Sequence, residues 1–405
     1  MIMSRPRTQT IPTDIVNHIF SILHSDQAYT TLETCSSVFP LLADLHLYSQ
    51  ITFCELPENL QESAKETYLL TPTNFSLILI DRPHVVNCVR VVGIIIAGSG
   101  FLQSSLPAIS SILPKLSQLK SITLDATPPL SWSALGSEFH TALRNSIRLP
   151  TIKSVGISDV NGFPLDTLDH CENVEHLQLF GQFTDLGGPI MRPYPPLCSL
   201  RVDGQFESTR VVSWAQGNLQ NLSLSMSGAT DLASFRTLLE ACSSTLVNLE
   251  LTHTCCGALR ISATERSCFL IKFPVSPKFH PKAVLPELRF PLLEHVIVRS
   301  PVIFRHSKMP LSSLPFLAPF FVSNSSISAI YLSLHTEFKN IGRDPDFSNI
   351  AAFLCLPVFR HPIVLFISTN VEHPGALLAH LHQLKQNSDL RRLLENGKLV
   401  IAKNE

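Results

Sequence analysis

Leu219-Gln220-Asn221-Leu222-Ser223-Leu224 is one of a series of segments in which apolar residues occupy the first, fourth and sixth positions. The middle residues of nine such copies are Val89, Ile122, Val155, Leu177, Leu200, Leu222, Leu249, Val296 and Ile330. Successive middle residues are 33, 33, 22, 23, 22, 27, 47 and 34 positions apart. The alternation at the end of each copy predicts a short strand with one buried face. Three consecutive spacings of 22 or 23 residues indicate a true repeat rather than chance.

This spacing is typical of leucine-rich repeats, which run about 20–29 residues and pair one strand with a returning helix or loop. We therefore predict an irregular α/β solenoid with a largely parallel sheet for residues 75–405. The asparagine that usually follows the repeat core is absent, which predicts irregular turns. A non-solenoid α/β fold is the alternative.

The segments between and after the strands predict helices and one insertion. Asp231–Cys242 has its apolar residues on one face of a helix, with Asp231 as the cap. The proline-rich stretch Arg260–Pro291 fills the longest gap and is predicted to be an insertion. A last strand is expected at Ile363–Ile367, followed by a helical C-terminal cap from Pro374 through Leu394.

The N-terminal residues form a different pattern, typical of three short helices. Ile11, Ile15, Ile19 and Ile22–Leu23 recur at helical spacing, and Pro12 suits a first helical turn. Two further apolar-patterned stretches are Tyr29–Ser37 and Leu41–Ser49. We expect a helical unit over residues 9–52, and a linker or connecting helix over 53–74 that leads to the repeats. So small a unit buries little surface alone, so it is expected to pack on a partner or on the repeats.

Composition excludes several classes of function. Lys and Arg total 31 and Asp and Glu total 32, so the chain lacks the cationic excess of a nucleic-acid or membrane-surface binder. The apolar stretches Val91–Leu102 and Pro310–His335 are too short or too interrupted for membrane spans, and we expect both in the core. Ten cysteines show no CxxC spacing and no secretory leader is expected, so we predict free thiols in the cytoplasm or nucleus.

No motif carries a specific catalytic or cofactor signal. Gly93–Gly100 has the outline of a phosphate loop but lacks its lysine, so a turn after a buried strand is predicted. His253, Cys255 and Cys256 offer soft metal ligands without a second ligand pair, and a repeat turn explains them better. The carboxylates of Asp166 with Asp169, and of Asp344 with Asp346, fit turns and helix caps. We expect no metal, no cofactor and no enzymatic activity.

The stretch from Ile11 to Ile51 resembles the F-box, in particular that of fungal F-box proteins with degenerate leucine-rich repeats. Ile11–Val16 stands where the family has Leu-Pro-x-Glu followed by two apolar residues. Ile19–Leu23 fits the end of its first helix. Thr34–Phe39 fits its Val/Cys-Ser-x-x-Trp segment, with Phe39 in place of the tryptophan.

The resemblance implies a substrate receptor of an SCF-type cullin–RING ubiquitin ligase. The F-box helices would dock on the Skp-type adaptor of that ligase, and the repeats would hold an unidentified target protein. The adaptor contacts that transfer from the family are Ile11, Pro12, Ile15, Ile19, Leu23, Cys35 and Phe39. The competing hypothesis is a repeat scaffold without a ubiquitin role, in which the same helices only cap the solenoid and Ile11, Ile15 and Ile19 pack against the first repeat.

Overall fold

The computed structural model describes residues 13–25, 29–36, 40–55, 68–185, 195–203, 208–226, 235–253, 288–303, 324, 326–327, 329–337, 363–369, 382, 386 and 388–403. The chain divides into two compact units. The first consists of Met1–Val174 and Gly181–Pro195, and the second of Glu175–Phe180 and Pro196–Glu405. Both units are mixed α/β structures whose strands pair in parallel.

The described helices and strands are as follows. The α-helices are α1 Thr13–Ser25, α2 Tyr29–Ser36, α3 Pro40–Leu47, α4 Pro72–Asp81, α5 Ser99–Ser104, α6 Leu106–Ile112, α7 Ser137–Ile147, α8 Thr209–Ala215, α9 Arg236–Cys242 and α10 Ser388–Glu395. The strands are β1 Gln50–Phe53, β2 Tyr68–Leu70, β3 Val91–Ile96, β4 Ser121–Ser131, β5 Ser154–Asn161, β6 Phe163–Pro164, β7 His176–Phe180, β8 Phe183–Thr184, β9 Ser199–Asp203, β10 Asn221–Met226, β11 Asn248–His253, β12 His295–Ile303, β13 Ala329–Glu337, β14 Ile363–Thr369 and β15 Leu399–Lys403.

The first unit contains a parallel sheet in the order β2-β1-β3-β4-β5. Buried side chains stand side by side across it: Ile51 of β1 aligns with Val92 of β3, which aligns with Ile122 of β4. The parallel strands therefore begin at Gln50, before residue 75, where the repeats were expected to start. β2 and the first residues of α4 occupy part of the segment 53–74 that was predicted as a linker.

The predicted register of the first repeat was wrong. The sequence pattern placed Val86, Val89 and Val91 in one copy, but Pro83–Asn87 is a 3-10 helix and β3 starts only at Val91. The same spacing is kept by Val89, Val92 and Ile94, which are fully buried. Each of them lies three positions after the residue that was predicted. Because Val91–Ile96 is apolar apart from its glycine, the sequence there shows no alternation from which the buried face could be chosen.

The second unit contains parallel strands in the order β7-β9-β10-β11-β12-β13-β14-β15. The middle residues of four predicted copies, Leu177, Leu200, Leu222 and Leu249, stand in register and are buried. The prediction that these copies are neighbouring parallel strands with their alternate leucines inside is thus confirmed. Because the buried middle residues of neighbouring strands lie side by side, they form a continuous apolar core in this unit.

Two connecting elements can be compared with their predictions. Helix α9 forms the second half of the predicted helix Asp231–Cys242 and buries Leu238, Leu239 and Cys242, while Asp231 lies outside the described residues. Helix α10 falls within the predicted C-terminal helical tail, but the described chain does not end there. Strand β15 follows and pairs with β14, so the predicted helical cap is corrected to a helix followed by a further strand. Most of Arg260–Pro291 lies outside the described residues.

The apolar stretch Val91–Leu102 belongs to the core, as predicted: β3 carries the buried Val92, Ile94 and Ile96, and α5 carries the buried Phe101. Within the described residues, no helix combines the length and apolar character needed to cross a membrane. Cys171 and Cys242 are free, buried thiols, and burial raises the pKa of each to about 12.

Candidate docking surface

Helix α1 has two apolar stripes, and only one of them is buried. Val16 and Phe20 face the interior. Ile15 and Ile19, each one position earlier, are 52% and 46% exposed, and Ile22 is exposed to the same degree as Ile19. Ile15 and Ile19 were both predicted to contact the adaptor, and both belong to the exposed stripe. An exposed apolar stripe on a helix whose other side is already packed is a surface available to a partner.

Helix α3 adds two more exposed apolar side chains to the same three-helix unit. Leu41 is 67% exposed, and Leu45, one helical turn further, is also exposed. Neither leucine is among the predicted adaptor contacts, because the apolar pattern of this stretch indicates a helix without indicating which face is exposed. We call Ile15, Ile19, Ile22, Leu41 and Leu45 the exposed apolar set.

The remaining predicted adaptor contacts are less accessible or lie outside the described residues. Leu23 and Cys35 are half-buried. Ile11, Pro12 and Phe39 are not among the residues that the structure describes.

The three helices are held together by a small apolar interior. Its buried members are Val16, Phe20, Leu32, Ala43 and Leu47. A polar contact joins α1 to α3 as well, because His46 Nε2 donates to Asn17 Oδ1 over 3.1 Å. The interior of the three-helix unit is thus formed by other side chains, and the exposed apolar set is not part of it.

A buried carboxylate joins the helical unit to the segment between α4 and β3. Asp44 of α3 is fully buried, and its Oδ1 accepts from Arg82 Nη1 at 2.9 Å. Its Oδ2 contacts His84 Nε2, also at 2.9 Å. Arg82 caps the end of α4, and His84 lies in the 3-10 helix that leads to β3. A buried carboxylate with two donors fixes the position of α3 against this segment.

Aromatic packing reinforces that attachment. Tyr48, directly after α3, packs against Tyr68 of β2 and Phe75 of α4, with ring centroids 5.8 and 6.2 Å apart. Burial, with a smaller contribution from Asp44, raises the pKa of Tyr48 to about 12. The Tyr68 hydroxyl donates to Glu33 of α2. The helical unit is therefore part of a continuous packed structure with β1, β2 and α4.

The strands of the second unit present a second surface, opposite to their leucines. Along its first row, Asn221 Nδ2 donates to the Cys198 carbonyl at 3.3 Å, Asn248 Nδ2 donates to Asn221 Oδ1 at 2.6 Å, and His295 Nδ1 donates to Asn248 Oδ1 at 2.9 Å. In the next row Arg201 is exposed and its guanidinium lies 5.1 Å from the centre of the Phe180 ring. The first row is therefore half-exposed, polar and ordered by side-chain hydrogen bonds.

Among the described residues, the candidates for catalysis or metal binding lie in strands and turns. Gly93 lies inside β3, and Gly98 precedes α5 with a φ of 113°, as expected for a turn after a buried strand. Asp166 lies in a 3-10 turn, Leu165–Leu168, and Asp169 follows directly. Cys255, Cys256, Asp344 and Asp346 lie outside the described residues.

No protein-family model matches the chain, and no curated protein is similar to it at a significant level.

Proposed function

We propose that the chain is a substrate receptor of an SCF-type ubiquitin ligase, in which α1–α3 dock on the Skp-type adaptor and the parallel strands hold the target protein. We propose with it that these strands are the turns of a degenerate leucine-rich-repeat solenoid. The mechanism is proximity: the receptor raises the effective concentration of a target lysine beside the charged conjugating enzyme. The receptor performs no covalent step.

The observation that carries this proposal is the exposure of Ile15 and Ile19 on a helix whose Val16 and Phe20 are buried. Folding of the unit uses the second stripe and leaves the first for a partner. A docking helix in a groove uses such a stripe, with anchors one helical turn apart. The exposed Leu41 and Leu45 on α3 extend the apolar character to a second helix of the unit.

The competing hypothesis, a scaffold whose helices only cap the solenoid, expects Ile15 and Ile19 to pack against the first strands. In the first compact unit the helices are instead attached to that region through Asp44, Tyr48 and Glu33. The attachment leaves the isoleucine stripe exposed, which favours the receptor over the cap.

The test compares two substitutions by aspartate, each at an exposed apolar residue of the same compact unit. Ile15→Asp places a carboxylate in the proposed interface, whereas Leu77→Asp changes a 56% exposed leucine on α4, outside the exposed apolar set. Adaptor binding to the full chain is measured by isothermal titration calorimetry with the purified adaptor.

We expect Ile15→Asp to abolish detectable binding and Leu77→Asp to leave it unchanged. An unpaired carboxylate in an apolar interface costs several kcal/mol, and each 1.4 kcal/mol is about tenfold in affinity. Both side chains are about half exposed in the free chain, so the two variants should lower the thermal unfolding temperature by a similar, small amount. Binding that survives Ile15→Asp, or a wild-type chain that does not bind the adaptor, would refute the proposal.

A further inference from the structure

Three basic residues form a line at the edge of the first unit's parallel sheet where its strands begin. Arg90, Lys120 and Lys153 directly precede β3, β4 and β5. The backbone N–H of Lys120 donates to the Arg90 carbonyl at 2.7 Å, and that of Lys153 donates to the Lys120 carbonyl at 2.8 Å. Neighbouring strands lie about 4.8 Å apart, so the three residues span about 10 Å of this edge. We call them the cationic row.

The cationic row is accessible, and its middle side chain has no partner. Lys120 and Lys153 are exposed, and Arg90 is half-buried. Arg90 Nη1 donates to the carbonyls of Asn87 at 2.6 Å and Val89 at 3.2 Å, which holds its guanidinium at the edge. Lys153 has an interaction of its own. Within the described residues, no side-chain hydrogen bond or ion pair engages Lys120.

The strand residues beside the cationic row carry no charge. The first residues of the three strands stand in register and are uncharged: Val91, Ser121 and Ser154. The first acidic residue of β4 is Asp125, five positions after Lys120, and that of β5 is Asp159. Acidic residues outnumber basic ones among the described residues of the first unit, yet three of its cations stand together. Positive charge is therefore concentrated where these strands begin.

This arrangement does not help the free chain to fold. Like charges on neighbouring strands repel one another. Their separation is shorter than the Debye length of about 8 Å at physiological ionic strength, so salt screens the repulsion only in part. An anionic partner would replace this repulsion by attraction, and the unengaged ammonium of Lys120 is the group best placed to meet it.

We propose that the cationic row binds an acidic segment of another polypeptide. Side chains on one face of an extended chain recur about every 6.7 Å, so a run of acidic residues can place carboxylates along the whole row. A nucleic acid fits less well, because its binders typically make about 6–10 phosphate contacts and carry a cationic excess, whereas this chain has a net charge of −1. Binding of the acidic segment does not depend on the proposed function, under which that segment would belong to the target protein.

The test measures fluorescence anisotropy of labelled probes with the purified full chain, without adaptor, at low salt. The probe is a peptide of about six consecutive glutamates, which is longer than the row when extended. A peptide with glutamine in place of each glutamate carries the same label, and a single-stranded oligonucleotide of equal charge represents nucleic acid. The variants are Lys120→Gln and Lys120→Glu. The matched control is Arg144→Glu, which reverses an exposed charge on α7 of the same unit.

We expect the glutamate peptide to bind the wild type and Arg144→Glu equally, and the glutamine peptide to bind neither. Lys120→Gln should weaken binding severalfold and Lys120→Glu about tenfold, because the second change replaces attraction by repulsion. Binding should disappear at about 0.5 M salt, where screening is strong. Both Lys120 variants should unfold at or slightly above the wild-type temperature, since each relieves repulsion within the row.

Three results would overturn the proposal: no binding of the glutamate peptide to the wild type at low salt, equal losses in Lys120→Glu and Arg144→Glu, or tighter binding of the oligonucleotide than of the peptide. Adaptor calorimetry on the same wild-type chain separates this inference from the proposed function. A chain that binds the peptide but not the adaptor refutes the proposed function alone, and a chain that binds the adaptor but not the peptide refutes this inference alone.

Discussion

The buried carboxylate of Asp44, which attaches α3, predicts which of two substitutions destabilises the protein more. Asp44 is fully buried, whereas the side chains of Arg82 and His84 are 39% and 36% exposed. Arg82→Met therefore leaves a buried carboxylate with one donor fewer, while Asp44→Asn leaves a guanidinium that water can still reach. We expect Arg82→Met to be the more destabilising of the two, although arginine is the more exposed partner.

The magnitudes follow from the burial of the group left behind. Removing the partner of a buried charge costs about 3–5 kcal/mol, and the low end is expected because His84 still donates to Asp44. Asp44→Asn keeps the shape and loses hydrogen bonds to charged groups, which are worth about 1.5–3 kcal/mol. The double variant, with neither charge, should be more stable than the sum of the two losses predicts, by about 0.5–3 kcal/mol of coupling.

The two tryptophans make the assay local, because Trp132 lies in the first compact unit and Trp214 in the second. In a Trp214→Phe background, fluorescence during urea unfolding reports on the unit that contains Asp44. The background is suitable because the buried Trp214 Nε1 has no hydrogen-bond partner within the described part of the chain, so no hydrogen bond is lost. Asp44→Asn costing more than Arg82→Met, or additive losses in the double variant, would refute the reasoning.

Two further predictions concern the sheets. Leu222→Ala should lower the free energy of unfolding by about 2–5 kcal/mol, because it truncates a side chain in the core. Ser223→Ala, at the next residue, should change the free energy of unfolding by no more than about 0.5 kcal/mol, because the Ser223 hydroxyl oxygen has no partner among the described residues. Both are read by Trp214 fluorescence in a Trp132→Phe background, and equal losses would contradict the assigned strand faces. Gly93→Ala should destabilise by about 1–3 kcal/mol because the added Cβ lies 2.7 Å from Thr52 Oγ1 on the neighbouring strand. Urea unfolding should show this loss relieved by Thr52→Ala, and no relief would mean that the close approach of β1 and β3 is not the cause.

The regular repeats could be predicted from sequence because their two faces differ in chemistry. In Leu222-Ser223-Leu224 the polar residue between two leucines identifies both the strand and its buried face. At β3 and at β15 the strand residues are almost all apolar, so neither the register of the first nor the existence of the second could be derived from alternation. Strand β1 has the predicted spacing at Tyr48, Ile51 and Phe53, all buried. The sequence pattern places Tyr48 and Ile51 in the N-terminal helical unit, 9–52, and Phe53 at the start of the linker, 53–74, so this copy of the repeat is missed.

The candidate site was predictable only in part, for a similar reason. The sequence of α1 contains two apolar stripes offset by one residue, and either could be the buried one. The structure buries the stripe that contains the large aromatic Phe20. The partners of Asp44 are 38 and 40 residues further along the chain, and no local pattern connects them. Long-range polar contacts of this kind depend on the tertiary fold and leave no periodic signal.

Under the proposed function, the exposed isoleucines serve binding, since folding alone does not require them. Isoleucine is a poorer helix former than lysine or glutamate, because its branched side chain loses rotamer freedom in a helix. At an exposed position it also adds apolar area that favours association with other molecules. Ile15 and Ile19 therefore incur a small cost in the free chain and contribute little to its interior. A partner that covers them converts the same area into binding free energy, at about 25 cal/mol for each Å² removed from water. Polar replacements of Ile15 and Ile19 should therefore remove adaptor binding while leaving stability intact.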